Sequence, residues 1–246
     1  MTTLLIQLAG PLQSWGSHSR FSTRATELAP TKSGVVGLVA AALGRDRAAS
    51  LEMFDGLRFG VRVDQRGSVE RDFQTARSLD GTESMPLSNR YYLADAVFLA
   101  GLQSPDSALL HTFASAIGRP IFPLFLGRRA FPPAGPIRTD IREETLEEAF
   151  ATEEWRASVQ YQRVSPDERP RLETLIDASP GDPPGETSRD EPMSFDPRRR
   201  EYGWRDIRFG EVEIGNSHWV APRSEPEPDS APPDEHDPIA LLTEGE

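Results

Sequence analysis

Apolar residues alternate with polar ones, or form short runs bounded by turn residues, in four segments of the first half of the chain. A period of two over four to eight residues is typical of β-strands, and the flanking Gly and Pro residues mark where each strand ends. The predicted strands are Leu4–Leu8, Leu57–Val63, Ala96–Leu102 and Ile121–Leu126.

Two segments between these strands carry apolar residues at helical spacing. The first covers Val35–Leu43 and is followed by a glycine, and either Thr31 or Ser33 can cap its start. The second is Ser107–Gly118. The resulting order, β-α-β-β-α-β, is that of a ferredoxin-like or RNA-recognition-motif fold. We therefore predict an α+β fold, with a ferredoxin-like domain at residues 1–138.

An insertion at residues 66–94 separates the second and third predicted strands. Its two ends, residues 69–75 and 89–93, have β character, and they flank a centre rich in Gly, Ser, Asp and Pro. An insertion of this length is too long for a tight turn. We interpret it as a projecting β-ribbon with a flexible tip.

The pattern changes after Arg138, where acidic residues become frequent. We expect a smaller, mainly β region at residues 139–221 and, because its Pro/Glu/Asp-rich composition has little to bury, a disordered acidic tail at 222–246. Within the smaller region the patterns predict an acidic helix or turn at 145–155, strands at 158–164 and 172–176, a mobile loop at 178–192 and a closing hairpin at 202–214.

The formal charge of -12 is unevenly distributed. Residues 1–138 carry 15 basic and 11 acidic groups (+4), residues 139–221 carry 11 and 20 (-9), and residues 222–246 carry 1 and 8 (-7). Because phosphate binding depends on local charge, a nucleic acid is better placed on the N-terminal part. The absence of cysteine excludes disulfides and thiolate metal sites, and no apolar run is long enough to span a membrane. We expect a cytoplasmic protein that does not contact membranes.

A polar loop connects the first strand to the first helix and carries most of the candidate binding residues. Its donors and its one indole ring suit an anionic, partly aromatic ligand, and RNA has those properties. Trp15 is either a stacking platform for a base or a plug beneath the loop, and the helix start at residues 31–33 is a favourable place for one phosphate. The candidates are Gln13, Trp15, Arg20, Arg24, Thr31, Lys32 and Ser33.

Further candidates lie at two other places. Arg128 and Arg129 follow a glycine, which allows the backbone to approach a phosphate closely while two guanidinium groups bind its oxygens. Arg71, Arg90 and Tyr92 lie at the root of the insertion, where a positive and aromatic lining suits a splayed nucleotide. For Arg128 and Arg129 the alternative is a solvated pair at a turn. Tyr91 and Tyr92 are adjacent on a predicted strand and point to opposite faces, so one of them can lie in the core while the other faces RNA or a partner subunit.

Five motifs, in the same order along the chain, resemble the CRISPR-associated Cas-five family of subtype I-E, within the RAMP superfamily. Two of them are Leu-Ala-Gly-Pro-Leu-Gln-Ser-Trp-Gly and Pro-Thr-Lys-Ser-Gly-Val-Val-Gly-Leu, and a third is Arg-Asp-Phe-Gln-Thr. The segments that carry the resemblance are residues 8–16, 30–38, 71–75, 126–130 and 189–193, with Arg200–Trp204 beyond them.

The resemblance implies a non-catalytic subunit that binds the five-prime handle of the CRISPR RNA in the Cascade surveillance complex. It implies the CasC backbone subunit and the large CasA subunit as partners, with target DNA bound through the complex. It also implies that the insertion is a thumb that reaches across the guide, and that the segment containing Arg128 and Arg129 lies near the handle. No cofactor is implied.

The main alternative is a metal-independent endoribonuclease that processes precursor RNA, as other members of the superfamily do. Such an enzyme needs a histidine, lysine or tyrosine to move protons at the 2′-hydroxyl and the leaving oxygen. His18 is the histidine best placed in the polar loop, and Lys32 is the only lysine of the chain. The acidic pairs near residues 143–154 lack a histidine at ligand spacing, so we assign neither a metal site nor catalytic residues. A purely scaffolding subunit is the third possibility.

Overall fold

The computed structural model describes residues 1–16, 23–179, 181–183 and 185–221, and the backbone alone at residues 19–20. The helices in this part of the chain are α1 (Lys32–Ala42), α2 (Ser107–Gly118), α3 (Leu146–Thr152) and α4 (Val159–Val164), with a short 3-10 turn at Glu52–Phe54. The strands are β1 (Thr2–Ala9), β2 (Leu12–Gln13), β3 (Ser19–Arg20), β4 (Thr23–Arg24), β5 (Arg58–Gln65), β6 (Ser68–Gln74), β7 (Ser88–Ala94), β8 (Val97–Ser104), β9 (Thr139–Arg142), β10 (Arg171–Asp177), β11 (Glu186–Ser194) and β12 (Glu201–Glu213).

Seven of these strands form one antiparallel sheet in the order β11-β12-β10-β5-β8-β1-β9. β1 pairs with β8 along its whole length and with β9 at its other edge. β10 pairs with β5, so strands from both halves of the chain form one continuous sheet. The mixed α/β architecture predicted from the sequence is confirmed, and the division at residue 138 stays a prediction.

Alternation along β1 places apolar side chains on both faces of this sheet. Leu4, Ile6 and Leu8 belong to the main core, together with buried residues of α1 and α2. Leu5 points to the other face, where Phe150 of α3 covers it. Burial on both faces explains why Leu4, Leu5 and Ile6 form a continuous apolar run rather than a strict alternation.

A second, smaller sheet is built around β7. β6 pairs with β7 over all seven residues, which confirms that the insertion is a β-ribbon. The other edge of β7 pairs with β2 and, in parallel, with β4, so the root of the ribbon is held by the polar loop that follows β1. This pairing brings the loop, the ribbon and the start of α1 to one side of the molecule.

Four local predictions were wrong. Residues 121–126 are not a strand, because the amides of Ile121 and Phe122 donate to the last carbonyls of α1, and β9 occupies the sheet edge beside β1. Residues 158–164 form α4, whose first turn is capped by Ser158. The loop predicted at 178–192 contains most of β11, and the predicted hairpin at 202–214 is the single strand β12, which pairs on both edges.

The acidic helix or turn predicted at 145–155 corresponds to α3, which begins with a capping box between Thr145 and Glu148. The tail at 222–246 lies outside the described residues. Within the described part of the chain, no helix is long and apolar enough to cross a membrane.

Candidate nucleic-acid interface

A polar cleft of about 230 Å³ lies where the loop after β1, β4, the start of α1 and the segment after α2 meet the start of β12. Three stretches that are distant in the sequence, residues 14–34, 127–128 and 200–202, therefore contribute to one site. The lining residues are Ser14, Trp15, Gly16, Arg24, Ala25, Thr31, Ser33, Gly34, Gly127, Arg128, Arg200 and Tyr202.

Gly127 shapes one wall of this cleft. Its φ of +86° is in the left-handed region, and a Cβ at this position would overlap the carbonyl oxygen of Ser14. The two segments are joined by a hydrogen bond from the Ser14 amide to the Leu126 carbonyl at 3.1 Å. Only glycine permits this close approach, and the next residue, Arg128, is thereby directed to the cleft.

The Arg128 guanidinium is held in place by backbone groups rather than by a carboxylate. It donates to the carbonyl oxygens of Tyr91 at 3.1 Å and Arg24 at 3.3 Å, and it lies 5.8 Å from the ring centre of Phe131. Burial lowers the pKa of Arg128, and the nearby charges of Arg90 and Arg24 lower it further. An arginine remains protonated at neutral pH, so the positive charges accumulate here.

Arg24, Arg90 and Arg128 make no ion pair with any described residue of the chain. The Nε of Arg90 is buried without a hydrogen-bond partner. A buried donor without a partner and three clustered cations are both unfavourable until an anion binds. The arrangement therefore suits a phosphate group with several oxygens.

Arg200 and Tyr202 were not among the site residues predicted from the sequence. Arg200 is exposed and Tyr202 is half-buried, and both line the cleft. The run of three arginines at 198–200 was the available signal, but it lies in a strongly acidic part of the chain. Only the tertiary structure places this run beside the basic N-terminal part.

Two predicted RNA-contacting residues are instead buried. Gln13 is 0% exposed and donates to the carbonyls of Leu8 and Ala96. Trp15 is 1% exposed, belongs to the main core and donates its indole N–H to the Gln13 side chain at 3.1 Å. Both side chains therefore have structural roles in this fold, and of the two alternatives for Trp15 the plug beneath the loop is the one observed. Contact with RNA stays a prediction for Trp15, which also lines the cleft.

The start of α1 also differs from the prediction of a phosphate site. Thr31 caps the helix by accepting from the Gly34 amide, and Lys32 is 6% exposed and forms ion pairs with Asp177 and Glu191. The Lys32 amide donates to a carboxylate oxygen of Asp190 at 2.8 Å. Protein carboxylates therefore already occupy the positions expected for a phosphate. Ser33 is largely buried but lines the cleft.

The other predicted residues lie around the cleft rather than in it. Arg71 is exposed on β6 opposite Tyr91, and Arg129 is exposed after Arg128. Tyr92 is half-buried, with its ring edge-on to Phe131 at 5.5 Å. The Arg20 side chain and His18 lie outside the described residues.

Among the described residues, no three His, Asp or Glu side chains lie close enough together to hold a metal ion. The chemistry of the cleft is that of arginine, hydroxyl and backbone donors.

Known proteins are similar to this chain over most of its length. The sequence model of the CRISPR-associated protein (Cas_Cas5) family matches residues 3–208. The CRISPR system Cascade subunit CasD of Escherichia coli (strain K12) is 34% identical over 154 residues, which are 54% of this chain and 68% of CasD.

Two solved structures are similar to the whole fold. A chain of a CRISPR RNA-guided surveillance complex has a TM-score of 0.71 and 30% identity, covering 90% of this chain and 94% of its own. A structure described as the crystal structure of a Cas protein has a TM-score of 0.67 and 36% identity, covering 90% and 100%. Together, the family match and the similarity to CasD show that this chain belongs to the CRISPR-associated Cas-five family, subtype I-E.

Proposed function

We propose that this protein is a non-catalytic RNA-binding subunit of a type I-E Cascade surveillance complex, and that it holds the five-prime handle of the CRISPR RNA in the cleft around Arg128. The observation that carries the proposal is the cluster of Arg24, Arg90 and Arg128, which has no carboxylate partner among the described residues. The similarity to CasD and to a chain of an RNA-guided surveillance complex supports the same assignment.

The topology is consistent with a RAMP domain. The strands β9-β1-β8-β5 are adjacent in the seven-stranded sheet, and this is the order of the four strands in a ferredoxin-like fold. We assign the β6–β7 ribbon as the thumb that adjoins the CasC backbone subunit, and we expect the large CasA subunit at the handle end. Target DNA is bound through base pairing with the guide, so this subunit needs backbone contacts rather than a base code.

The mechanism is positioning by electrostatics. Phosphates of the handle bind the guanidinium groups of Arg24, Arg128 and Arg200, and the Ser33 hydroxyl adds a donor at the floor of the cleft. Because Gly127 and two backbone carbonyls fix Arg128 before binding, little side-chain entropy is lost when the phosphate arrives. The handle is held without a chemical step.

The endoribonuclease alternative lacks an available lysine. Lys32 is buried between two carboxylates, so its ammonium group is already hydrogen-bonded within the protein. Incubation of the purified protein with repeat RNA in EDTA tests this point directly, and we expect no discrete product.

The direct test is a titration of a labelled handle oligonucleotide at several salt concentrations. Arg24→Ala and Arg128→Ala should each weaken binding by about 1.5–3 kcal/mol, the usual contribution of a charge-assisted hydrogen bond. Each should also make the negative slope of log K against log salt shallower by about 0.7, because one phosphate contact to a single strand is lost.

Arg47→Ala is the matched control. Arg47 is exposed and follows the other end of α1, an 11-residue helix about 16 Å long. The Arg47→Ala substitution therefore removes one positive charge, as the other two do, but far from the cleft. Equal losses in all three variants would show that only net charge matters and would refute the site.

A further inference from the structure

The first amide of α1 is capped by a side chain from a distant strand. Asp190 of β11 accepts a hydrogen bond from the Lys32 amide at 2.8 Å, and its side chain is 1% exposed. A carboxylate is favourable at this position because the helix dipole leaves partial positive charge at its N-terminus. The contact joins two segments 158 residues apart in the sequence.

A buried ion network surrounds this contact. Arg205 of β12 donates to both oxygens of Asp190, at 2.6 and 2.9 Å, and to Asp177 of β10 at 2.5 Å. Lys32 Nζ lies 3.1 Å from Asp177 and 2.7 Å from Glu191. Two cations face three carboxylates, and the remaining negative charge lies at the helix N-terminus. The network ties α1 to three strands.

The network holds a two-stranded extension of the sheet, formed by β11 and the first part of β12, which we call the arm. The last pair between β10 and β12 is Asp177 with Ile207, and the Ala178 amide donates to the Asp206 carbonyl, so residues 201–205 pair with β11 alone. Beyond this two-stranded arm, the ring of Phe195 lies over Gly37 of α1. The chain then returns through Arg200 and Tyr202, which line the cleft.

We propose that Asp190 is a positioning residue for RNA binding: it fastens the β11–β12 arm across the start of α1, so that Arg200 is held opposite Arg128 in the cleft. This inference rests on the proposed function. Asp190 does not touch the ligand. Its carboxylate takes the position at the helix N-terminus that an RNA phosphate would otherwise occupy, and the phosphate-binding role passes to an arginine on the arm.

A double-mutant cycle on handle RNA tests the proposal. Arg200→Ala should weaken binding about tenfold, the equivalent of one charge-assisted contact, and lower the salt slope by about 0.7. Asp190→Asn, which keeps the shape and removes the charge, should weaken binding to a similar degree. In the Asp190→Asn background, Arg200→Ala should cost less than about twofold more, because the arm no longer holds Arg200 in place.

Arg128→Ala is the internal control for this cycle. The Arg128 guanidinium donates to the carbonyls of Arg24 and Tyr91 and not to the arm, so its loss in affinity should be the same in both backgrounds. Melting curves recorded beside the titrations verify folding. If Asp190→Asn does not fold, the same cycle with Arg205→Lys decides by the same criterion, since Arg205 donates to both oxygens of Asp190 and a lysine keeps the charge but not the paired contact.

Wild-type affinity in Asp190→Asn, or an undiminished Arg200→Ala effect in that background, would overturn the proposal while the Arg24 and Arg128 results still support RNA binding. If Arg24→Ala and Arg128→Ala bind as wild type, the proposed function fails and the positioning role fails with it. The two failures are therefore distinguishable in one set of titrations.

Discussion

Replacing Gly127 with alanine should destabilise the protein and disturb the cleft together. The residue has φ of +86°, and an alanine there carries a conformational cost of roughly 1–2 kcal/mol. The added Cβ would also overlap the Ser14 carbonyl oxygen, so one of the two segments must move. Moving them breaks the hydrogen bond between the Ser14 amide and the Leu126 carbonyl, a further loss of about 1–3 kcal/mol for buried groups.

Gly56→Ala separates these two causes. Gly56 has a similar φ of +71°, but nothing lies within 4 Å of a Cβ built there. This control should therefore show the conformational cost alone, partly offset by the reduced entropy of the unfolded chain. Gly127→Ala should cost about 2–5 kcal/mol in total, which lowers the melting temperature by roughly 4–20 °C for a chain of this size.

The assay is denaturant unfolding of both variants beside the handle titration. We expect Gly56→Ala to bind RNA as wild type and Gly127→Ala to lose affinity, because Arg128 is displaced from the carbonyls of Tyr91 and Arg24. Equal stability in the two glycine variants would refute the close approach of residues 14 and 127. Unchanged RNA affinity in a destabilised Gly127→Ala would refute the role of this segment in the cleft.

Three more predictions concern other parts of the molecule. Two hydrogen bonds from Arg58 hold the pKa of Glu147 below its usual range against the opposing effect of burial. Glu147→Gln should therefore lower the free energy of unfolding at pH 7 by up to about 1 kcal/mol, a small value because the Glu147 side chain is 38% exposed. Since the pKa of Glu147 is lower in the folded than in the unfolded state, urea titrations should show this difference shrinking as the pH falls below about 4.3. Replacing residues 75–87 with Asn-Gly joins Gln74 to Ser88, which already pair, so the melting temperature measured by circular dichroism should stay near that of the wild type. Co-purification with the backbone subunit and guide RNA should fall, and normal assembly would show that the ribbon tip contacts neither. A chain ending at Ala221 should melt within a degree or two of the full chain, because the Pro/Glu/Asp-rich remainder has little apolar surface to offset ordering, and early melting would place the apolar residues 239–242 in a groove of the fold.

The sequence by itself determined the elements whose signal is local and strong. β1, α1, β5, β8 and α2 lie within a few residues of their predicted positions, because alternation, helical spacing and caps such as Thr31 act between near neighbours. The five motifs likewise identified the family from short stretches alone. The ribbon of the insertion was recognisable because its two strands are separated only by their own loop.

The tertiary structure decided where partners come from across the chain. Lys32 has the chemistry of a phosphate ligand, but Asp177 and Glu191, 145 and 159 residues away, neutralise it. The 121–126 segment has strand character, yet its amides donate to the end of α1 and its place in the sheet is taken by β9. Arg200 looks like part of an acidic region until β11 and β12 carry it to the basic cleft. Charge and hydrogen-bond partners act through space, so a pattern along the chain indicates which groups need a partner but not which partner they find.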